Sequence, residues 1–301
     1  MLVHRNKQKY ASYVRAMKMQ VWILMLASGR VSQAINYQYA GLRIVDDRID
    51  GDMDLIDTDI LGYAEKRFHI LNALARPDFS PETPEDTLLQ ETLRIARENG
   101  KEMEIKQSIQ MILESMIFDA KRIKRFRETG RLEFLPREEL EQHFYNLDIV
   151  GTGIGMLVYL GSKNIAEDLK KLHNIGRACR IEYNLNDFVE DIEHGILNIS
   201  HEDAEKYRIT ESDLVAVRDA PIVRDIDPRD PAKVWYQDIS EYPTSIIAFL
   251  QDQVEQYDNH IKIFLQEEYM DFPLMTRVVF RQFYLNPTGK NIGKFRMLLP
   301  S

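Results

Sequence analysis

Residues 31–51, VSQAINYQYAGLRIVDDRIDG, decide the fold class because their apolar side chains recur at intervals of three and four. That spacing is typical of an amphipathic α-helix and not of a strand. Gly29 interrupts the pattern upstream, so we predict a helix that restarts after Gly29 and stops at Gly51. Four residues of helix return a side chain to nearly the same direction, which places Asp46 and Asp50 on one face.

Helical spacing continues along most of the chain. Upstream, residues from Tyr10 onward form the first arm of a predicted helical hairpin. Further helices are predicted over residues 55–76, 84–99, 101–128, 136–162, 164–196, 210–219, 241–271 and 274–285. Two stretches rich in Pro and Asp, residues 76–84 and 225–231, are predicted to be surface loops. Because no alternating run is long enough to build a sheet, we predict an all-α fold, one domain over residues 1–301 with long helices around a cavity.

The composition excludes several classes of protein. With 301 residues and 44% hydrophobic content the chain can bury a large core, and its formal net charge of −9 disfavours non-specific nucleic-acid binding. Cys179 is the only cysteine, which excludes an intrachain disulfide and favours a reducing, cytoplasmic compartment. The dense apolar run over residues 21–27 is far shorter than the roughly 20 residues that cross a bilayer, so no transmembrane helix is expected. That run follows a basic stretch, as in a signal peptide, but its apolar core is too short to favour secretion.

A second acidic cluster, Asp187-Phe188-Val189-Glu190-Asp191, follows about 140 residues after the first. Its spacing again puts two carboxylates, those of Asp187 and Asp191, on one helical face. If the two helices face each other, four carboxylates converge, and their repulsion must be offset by cations. Hard oxygen ligands with room for water and phosphate suit Mg²⁺, so the sequence predicts a magnesium-diphosphate site. The alternative is a pair of solvated acidic faces, which are common on helix surfaces.

The second cluster and its flanks resemble the second aspartate-rich motif of the squalene and phytoene synthase family. That motif contains Asp, two residues, Glu-Asp, three residues and Gly, and these positions are held here by Asp187, Glu190, Asp191 and Gly195. The segment over residues 202–214 is similar to the one that follows the motif in the family.

The region of the first cluster, residues 39–51, is similar to the family's first motif. In that motif an Arg precedes Asp-x-x-x-Asp by three residues, and Arg43 holds that place. Residues 150–155, which include Gly151 and Gly155, resemble the small-residue helix that lines the family's prenyl pocket. The resemblance covers most of the chain, and two such motifs in the expected order form a far more specific signal than one.

This resemblance implies a single isoprenoid-synthase-type helical domain around a central apolar cavity. It implies Mg²⁺-dependent head-to-head condensation of two C15 or C20 prenyl diphosphates, farnesyl or geranylgeranyl diphosphate. The product would be squalene-, dehydrosqualene- or phytoene-like and would form through a cyclopropyl intermediate. Squalene-forming relatives need NADPH and phytoene-forming ones do not, and the sequence leaves this choice open, as it does the oligomeric state.

The resemblance also implies roles for individual residues. Asp46, Asp50, Asp187 and Asp191 would be catalytic and would hold Mg²⁺, with Arg43 in contact with the diphosphate. Further substrate-binding candidates are Tyr39, Lys18, Glu190, Gly151 and Gly155. Tyr145 is a catalytic candidate in one register of the glycines, whereas the other register places Asn146 at that position.

The chain departs from the family at two positions beside the second motif. Tyr183 stands where the family has an Asn, and Asn186 stands where it usually has an Arg. These departures keep two alternatives open: a terpene cyclase or atypical prenyl diphosphate enzyme on the same fold, and a non-catalytic assembly or binding homologue. The basic residues 121–127 predict either peripheral docking on an anionic membrane or a solvated helix end before Gly130.

Overall fold

A computed structural model of the protein describes residues 30–51, 53, 59–76, 78–220, 222–223, 236–237 and 239–299. The prediction of an all-α fold is confirmed over these residues, where helices make up nearly all regular structure. Two short strands, β1 (Ile222–Val223) and β2 (Tyr236–Gln237), pair antiparallel, with Ile222 opposite Gln237. Among the residues described, we find no helix with the length and apolar character that crossing a bilayer requires.

The helices follow one another closely along the chain. The α-helices are α1 (Arg30–Asp50), α2 (Ile60–Leu74), α3 (Pro84–Glu98), α4 (Glu102–Thr129), α5 (Arg137–Phe144), α6 (Ile154–Tyr159), α7 (Ile165–Lys170), α8 (His173–Asn186), α9 (Phe188–His194), α10 (His201–Tyr207), α11 (Glu211–Asp219), α12 (Thr244–Ile263), α13 (Leu274–Val279) and α14 (Asn286–Leu298). The described chain also contains the π-helices π1 (Tyr145–Gly153), π2 (Phe264–Glu268) and π3 (Phe280–Leu285), and 3₁₀ turns at Ile239–Glu241 and Tyr269–Asp271.

The predicted helix boundaries are correct where capping chemistry marks them. Gly51 directly follows the last residue of α1 and has a φ of +88°, a left-handed conformation that favours glycine and ends the helix there. At the start of α3 the Thr83 hydroxyl accepts a hydrogen bond from the Asp86 backbone N–H at 3.3 Å, and Pro84 occupies the first turn. Both ends therefore follow from local sequence alone.

The structure corrects the predicted helices over residues 136–162 and 164–196. The first contains π1 in its middle, and the second is divided into α7, α8 and α9. The division between α8 and α9 lies at Asp187, whose φ of −98° and ψ of 6° leave the helical region. Apolar periodicity averages over several turns, so it does not register a single residue that breaks the hydrogen-bond ladder.

Two helices were not predicted. In α10, Ser200 is the N-cap and accepts from the Asp203 backbone N–H at 3.0 Å, although the helix buries little apolar surface. In α14, Pro287 lies in the first turn, and α14 follows π3 directly through residues with helical φ and ψ, so the proline does not end the helical segment. The helical segment therefore continues past the predicted end at residue 285.

The chain divides into two compact units. The N-terminal unit comprises Met1–Lys124 and Asn146–Leu169, and the C-terminal unit comprises Arg125–Tyr145 and Lys170–Ser301. The predicted loop over residues 76–84 joins α2 to α3 inside the N-terminal unit, and the one over residues 225–231 lies outside the described residues. The single domain over residues 1–301 stays a prediction.

In the N-terminal unit, α1 packs along α3 more extensively than along any other helix described. Gly41 allows the close approach, since a Cβ there would lie 3.1 Å from Leu89 Cγ and 3.3 Å from the Glu85 carbonyl oxygen. Val45 and Ile49 on α1 are almost completely buried. The acidic residues of α1 therefore occupy the remaining face of a helix whose other side is fixed by core packing.

In the C-terminal unit, α8 packs chiefly on α12. The apolar cluster of this unit includes Ile181 and Leu185 of α8 and Ile246 and Leu250 of α12, all buried. Burying a side chain of this kind stabilises the fold by about 1.5–3 kcal/mol. The packing fixes the helix that leads into the second acidic cluster.

Candidate functional site

The first acidic cluster lies at the C-terminal end of α1, and its carboxylates are partly exposed. One Arg43 nitrogen, Nη1, lies 2.6 Å from Asp46 Oδ2, and the other, Nη2, lies 2.6 Å from Asp47 Oδ1. Asp50 is one helical turn beyond Asp46 and is half-buried. Arg43 is therefore held against the acidic cluster, where its guanidinium offsets the repulsion between two adjacent carboxylates.

Behind this cluster, Arg48 reaches inward to a buried group of charges. Its Nη1 lies 3.4 Å from Glu85 Oε1. Arg67 of α2 bonds Asp86 at 2.5 Å, and the Tyr63 hydroxyl donates to Glu85 at 2.7 Å. We call these five residues, Arg48, Tyr63, Arg67, Glu85 and Asp86, the buried charge network.

The buried charge network links α1, α2 and α3, and each of its members is at most 8% exposed. Burial raises the pKa of Asp86, against the lowering effects of Thr83 and Arg67. Burial also raises the pKa of Tyr63, with the Glu85 carboxylate acting in the same direction. Because buried charges are costly unless paired, the network fixes how α2 and α3 meet the end of α1. In the sequence Arg48 stands between acidic residues, and nothing in the local pattern predicts that its side chain points inward.

The second acidic cluster lies where α8 gives way to α9. Asp187 is the residue between the two helices and is exposed, whereas Asp191 is half-buried on α9. The Asp191 backbone N–H donates to the Asp187 carbonyl at 2.7 Å, so one helical turn still separates the two side chains. The Asn198 amide donates to Asp191 Oδ2 at 2.9 Å. Glu190, the residue before Asp191 on α9, is half-buried.

Gly195 ends α9 and explains the last position of the second motif. Its φ is +85°, and a Cβ built on it would lie 2.2 Å from Phe126 Cβ. Neither the backbone conformation nor the space admits a side chain, because real Cβ atoms do not approach so closely. Glycine at this position lets the chain turn directly after the acidic helix.

Asn186 and Tyr183, the two residues that differ from the motif of squalene and phytoene synthases, both make contacts within α8. Asn186 and Asn291 both donate to Glu182 Oε1, the latter at 2.6 Å. Glu182 is 2% exposed, and its burial raises the pKa of its carboxyl. The Asn186 side chain therefore hydrogen-bonds a buried carboxyl group on its own helix.

Tyr183 is 42% exposed, and its ring centroid lies 5.8 Å from the Arg180 guanidinium. Asn184, its neighbour, accepts from the Asn198 amide at 3.4 Å. Since the same Asn198 amide bonds Asp191, Asn184 reaches the second acidic cluster through one intermediate side chain. The sequence did not predict this indirect link, because it depends on how residues 184 and 198 come together.

The remaining predicted site residues differ in their surroundings. A Cβ on Gly151 would lie 2.7 Å from Ile112 Cγ1, and one on Gly155 would lie 3.0 Å from Ser108 Oγ, so both glycines let helices pack closely. Their contact with a prenyl chain stays a prediction. Tyr145 is 43% exposed at the start of π1, and Tyr39 is half-buried on α1. Lys18 lies outside the described residues.

The basic residues 121–127 are engaged by the protein at several points. Arg122 is buried and bonds Asp119 at 3.0 Å, and Arg125 pairs with Glu133. These ion pairs within the protein are typical of a helix end whose basic residues are paired with nearby acids. Docking of this segment on a membrane stays a prediction.

Each acidic cluster offers a pair of carboxylates as possible metal ligands. Within the ranges described, no three His, Cys, Asp or Glu side chains are grouped as ligands of one ion. Mg²⁺ is commonly bound by one or two carboxylates together with water and substrate phosphates, and the pairs Asp46/Asp50 and Asp187/Asp191 fit that ligand set. One pair belongs to the N-terminal unit and the other to the C-terminal unit, and their convergence stays a prediction.

Comparison of the chain with models of known protein families and with curated proteins found no match. The likeness to squalene and phytoene synthases therefore rests on the two acidic motifs, their flanks and their spacing.

Proposed function

We propose that the protein is a Mg²⁺-dependent prenyltransferase that joins two prenyl diphosphates head to head. The observation that carries this proposal is that both acidic pairs keep the spacing of one helical turn with carboxylates that reach the surface. Arg43 beside the first pair adds the cation that a diphosphate requires. The all-helical fold is compatible with the isoprenoid-synthase-type domain and central apolar cavity that the motifs imply.

Each residue has a distinct part in the proposed chemistry. Mg²⁺ held by Asp46, Asp50, Asp187 and Asp191 would neutralise the charge that develops on the diphosphate leaving group. Arg43 is already oriented by Asp46 and Asp47, and its planar guanidinium matches two phosphate oxygens at once. The apolar walls of the cavity would keep water from the cation that remains after ionisation.

A second candidate, a terpene cyclase or other atypical prenyl diphosphate enzyme, is favoured by the environment of Asn186. This residue bonds the buried Glu182, whereas the family places an Arg there beside the motif. The diphosphate end of the substrate would then be held with one cation fewer. Such an enzyme would ionise one prenyl diphosphate and release a monomeric product.

Product identification by mass spectrometry tests the proposal. The full chain is incubated with farnesyl or geranylgeranyl diphosphate and Mg²⁺, with and without NADPH. We expect a dimeric hydrocarbon or a cyclopropyl diphosphate, and a monomeric terpene would support the second candidate. No product, together with no Mg²⁺-dependent diphosphate binding by calorimetry, would favour the non-catalytic assembly or binding homologue.

Substitution of one acidic residue shows whether the clusters are responsible. Asp46→Asn should lower the rate of product formation at least about 100-fold, because a neutral amide binds Mg²⁺ more weakly than a carboxylate does. Asp78→Asn, at an exposed aspartate of the same unit, is the matched control and should leave the rate unchanged. An unchanged rate in Asp46→Asn would contradict the proposed role of the first cluster.

A further inference from the structure

One continuous helical segment lies near the end of the C-terminal unit. It runs from Leu274 to Leu298 through α13, π3 and α14, and the residues at both junctions keep helical φ and ψ. One side of the segment is packed against the protein, because six of its side chains are buried: Thr276, Val279, Phe280, Thr288, Ile292 and Phe295. The other side is turned toward solvent.

An exposed stripe follows the solvent side of this segment at intervals of three and four residues. In α14, Lys290, Lys294 and Met297 lie opposite the buried Ile292 and Phe295, since each residue of an α-helix turns the chain by about 100°. The same spacing continues through the exposed residues of π3 and α13. We call six residues the outer stripe: Leu274, Val278, Arg281, Lys290, Lys294 and Met297.

The outer stripe is positively charged in an acidic protein. Residues 272–299 contain five Lys and Arg residues and no Asp or Glu, whereas the whole chain has a formal net charge of −9. Arg281 and Lys290 are exposed and Lys294 is half-buried. None of these three side chains forms an ion pair with a residue that the structure describes. Their charge is therefore available to an external anion.

The acids that reach α14 from other helices contact residues outside the outer stripe. Asp258 of α12 pairs with Arg296 at 2.6 Å, and the buried Glu182 of α8 accepts from Asn291 at 2.6 Å. By helical spacing, Arg296 and Asn291 lie on the two flanks of the buried face of α14. These contacts hold the helix on the protein and leave the charge of the outer stripe uncompensated.

Exposed apolar side chains accompany these cations. Leu274 and Met297, at opposite ends of the outer stripe, are 66% and 79% exposed, and Val278 lies one turn from Leu274. Helices at a membrane interface combine apolar side chains that enter the headgroup region with Lys and Arg that reach anionic lipids. A nucleic-acid backbone would engage the cations alone. We propose that the outer stripe docks the protein on the surface of an anionic lipid membrane.

Other basic parts of the chain do not serve this surface. Residues 1–29 contain five Lys and Arg residues and no Asp or Glu, so like charge opposes their binding to the outer stripe. Residues 121–127, the membrane contact that the sequence suggests, differ because Arg122 and Arg125 are already paired within the protein. Docking through the outer stripe does not rest on the proposed function.

Flotation of the full chain with lipid vesicles tests the docking. One set of vesicles contains phosphatidylcholine alone, and the other contains equal parts of phosphatidylcholine and phosphatidylglycerol, with EDTA present so that Mg²⁺ does not bridge aspartates to lipid. We expect binding to the anionic vesicles at least about tenfold tighter than to the neutral ones, and most of this difference should disappear at high salt. Equal binding to both sets, or binding to neither, would overturn the proposal.

Variants of the outer stripe locate the contact. Replacing two lysines together, Lys290→Gln with Lys294→Gln, should weaken binding to the anionic vesicles at least about tenfold. Met297→Ser should weaken it at least about threefold, because an apolar side chain no longer enters the interface. The matched control, Arg131→Gln with Lys206→Gln, removes the same charge from exposed residues of the same unit outside the segment and should bind nearly as the parent does.

Parent-like binding by both stripe variants would overturn the proposal. A dimer seen by light scattering without vesicles, and abolished by the double lysine replacement, would also overturn it, because the outer stripe would then bind a second copy of the chain. A chain that binds vesicles but forms no prenyl product would refute the proposed function alone. A chain that forms product but binds no vesicles would refute the docking alone.

Discussion

The two acidic clusters have the same spacing, but buried ion pairs support the first, whereas amide hydrogen bonds and close packing support the second. Behind the first lies the buried charge network, in which two arginines face two carboxylates and a tyrosine. The second is held by neutral amides and by a glycine turn that fits closely against Phe126. A cluster backed by buried charge depends on every partner being present, whereas one backed by amides and shape depends on local packing. The same sequence pattern can thus be supported in two ways.

The largest effect is expected from removing one cation of the buried charge network. Arg67→Met leaves Asp86 and Glu85 buried with less compensation, and we expect the free energy of unfolding to fall by about 3–5 kcal/mol. Urea denaturation measures this loss. Arg94→Met, at an exposed arginine of the same unit paired with Glu91 and Glu98, should cost no more than about 1 kcal/mol. Equal losses in the two variants would show that the network is not the support of the first cluster.

The next effect concerns the glycine turn of the second cluster. Gly195→Ala should lower the free energy of unfolding by about 2–4 kcal/mol, because overpacking against Phe126 adds to the cost of a positive φ. Gly130→Ala is the matched control, since Gly130 has a φ of +67° but no atom within 4 Å of the added Cβ. Thermal or urea unfolding of both variants separates the steric cost from the backbone cost. If both lose the same stability, the close fit against Phe126 is unimportant.

A smaller effect is expected from the tyrosine of the network. Tyr63→Phe removes the hydroxyl that donates to Glu85 at 2.7 Å and should cost about 1–2 kcal/mol, because a buried carboxylate loses a donor. Tyr269→Phe removes a hydroxyl that donates to the Arg277 carbonyl at 3.1 Å in a half-buried place, and should cost less. Urea denaturation compares them. A larger loss of stability in Tyr269→Phe would show that a hydrogen bond to the buried carboxylate is worth no more than one to a backbone carbonyl.

The smallest effect depends on pH and involves Glu182, the buried acid beside the second cluster. Burial raises the folded-state pKa of Glu182 above its ordinary value of 4.5, so the folded chain binds this proton more tightly than the unfolded chain does. Its stabilising contribution is therefore present below pH 4.5 and is lost as pH rises through the raised pKa.

Glu182→Gln removes this pH-dependent loss of stability, because the glutamine amide does not ionise. The variant should gain stability relative to the parent as pH rises above 4.5, measured by urea denaturation in Mg²⁺-free buffer. Glu133→Gln, at an exposed acid of the same unit, is the control for the general effect of removing a charge. A difference between Glu182→Gln and the parent that does not change with pH would contradict the burial argument.

The sequence predicted most of the helices and both acidic clusters, because each of these depends on neighbours along the chain. Periodicity placed α1 and its glycine stop, and spacing paired Asp46 with Asp50 and Asp187 with Asp191. It missed the break at Asp187 because one distorted residue leaves the apolar pattern unchanged.

Other features have no signal in the sequence. Arg48 looks like one more charged residue of an acidic segment, and its burial against Glu85 depends on how α3 packs on α1. The hydrogen bond from Asn291 to the buried Glu182 joins residues 109 positions apart, and no spacing along the chain predicts it. Such groupings are set by the packing of distant segments, which a local pattern does not contain.

The sequence by itself determined that the chain is helical, where α1 ends, and which carboxylates share a helical face, because these follow from backbone hydrogen bonding within a few residues. Only the tertiary structure decided which residues pack behind each acidic cluster and which arginine points inward. Those properties arise when apolar faces pack and carry their neighbouring polar groups into surroundings of lower dielectric. A charged or polar group there is costly unless it has an ion-pair or hydrogen-bond partner.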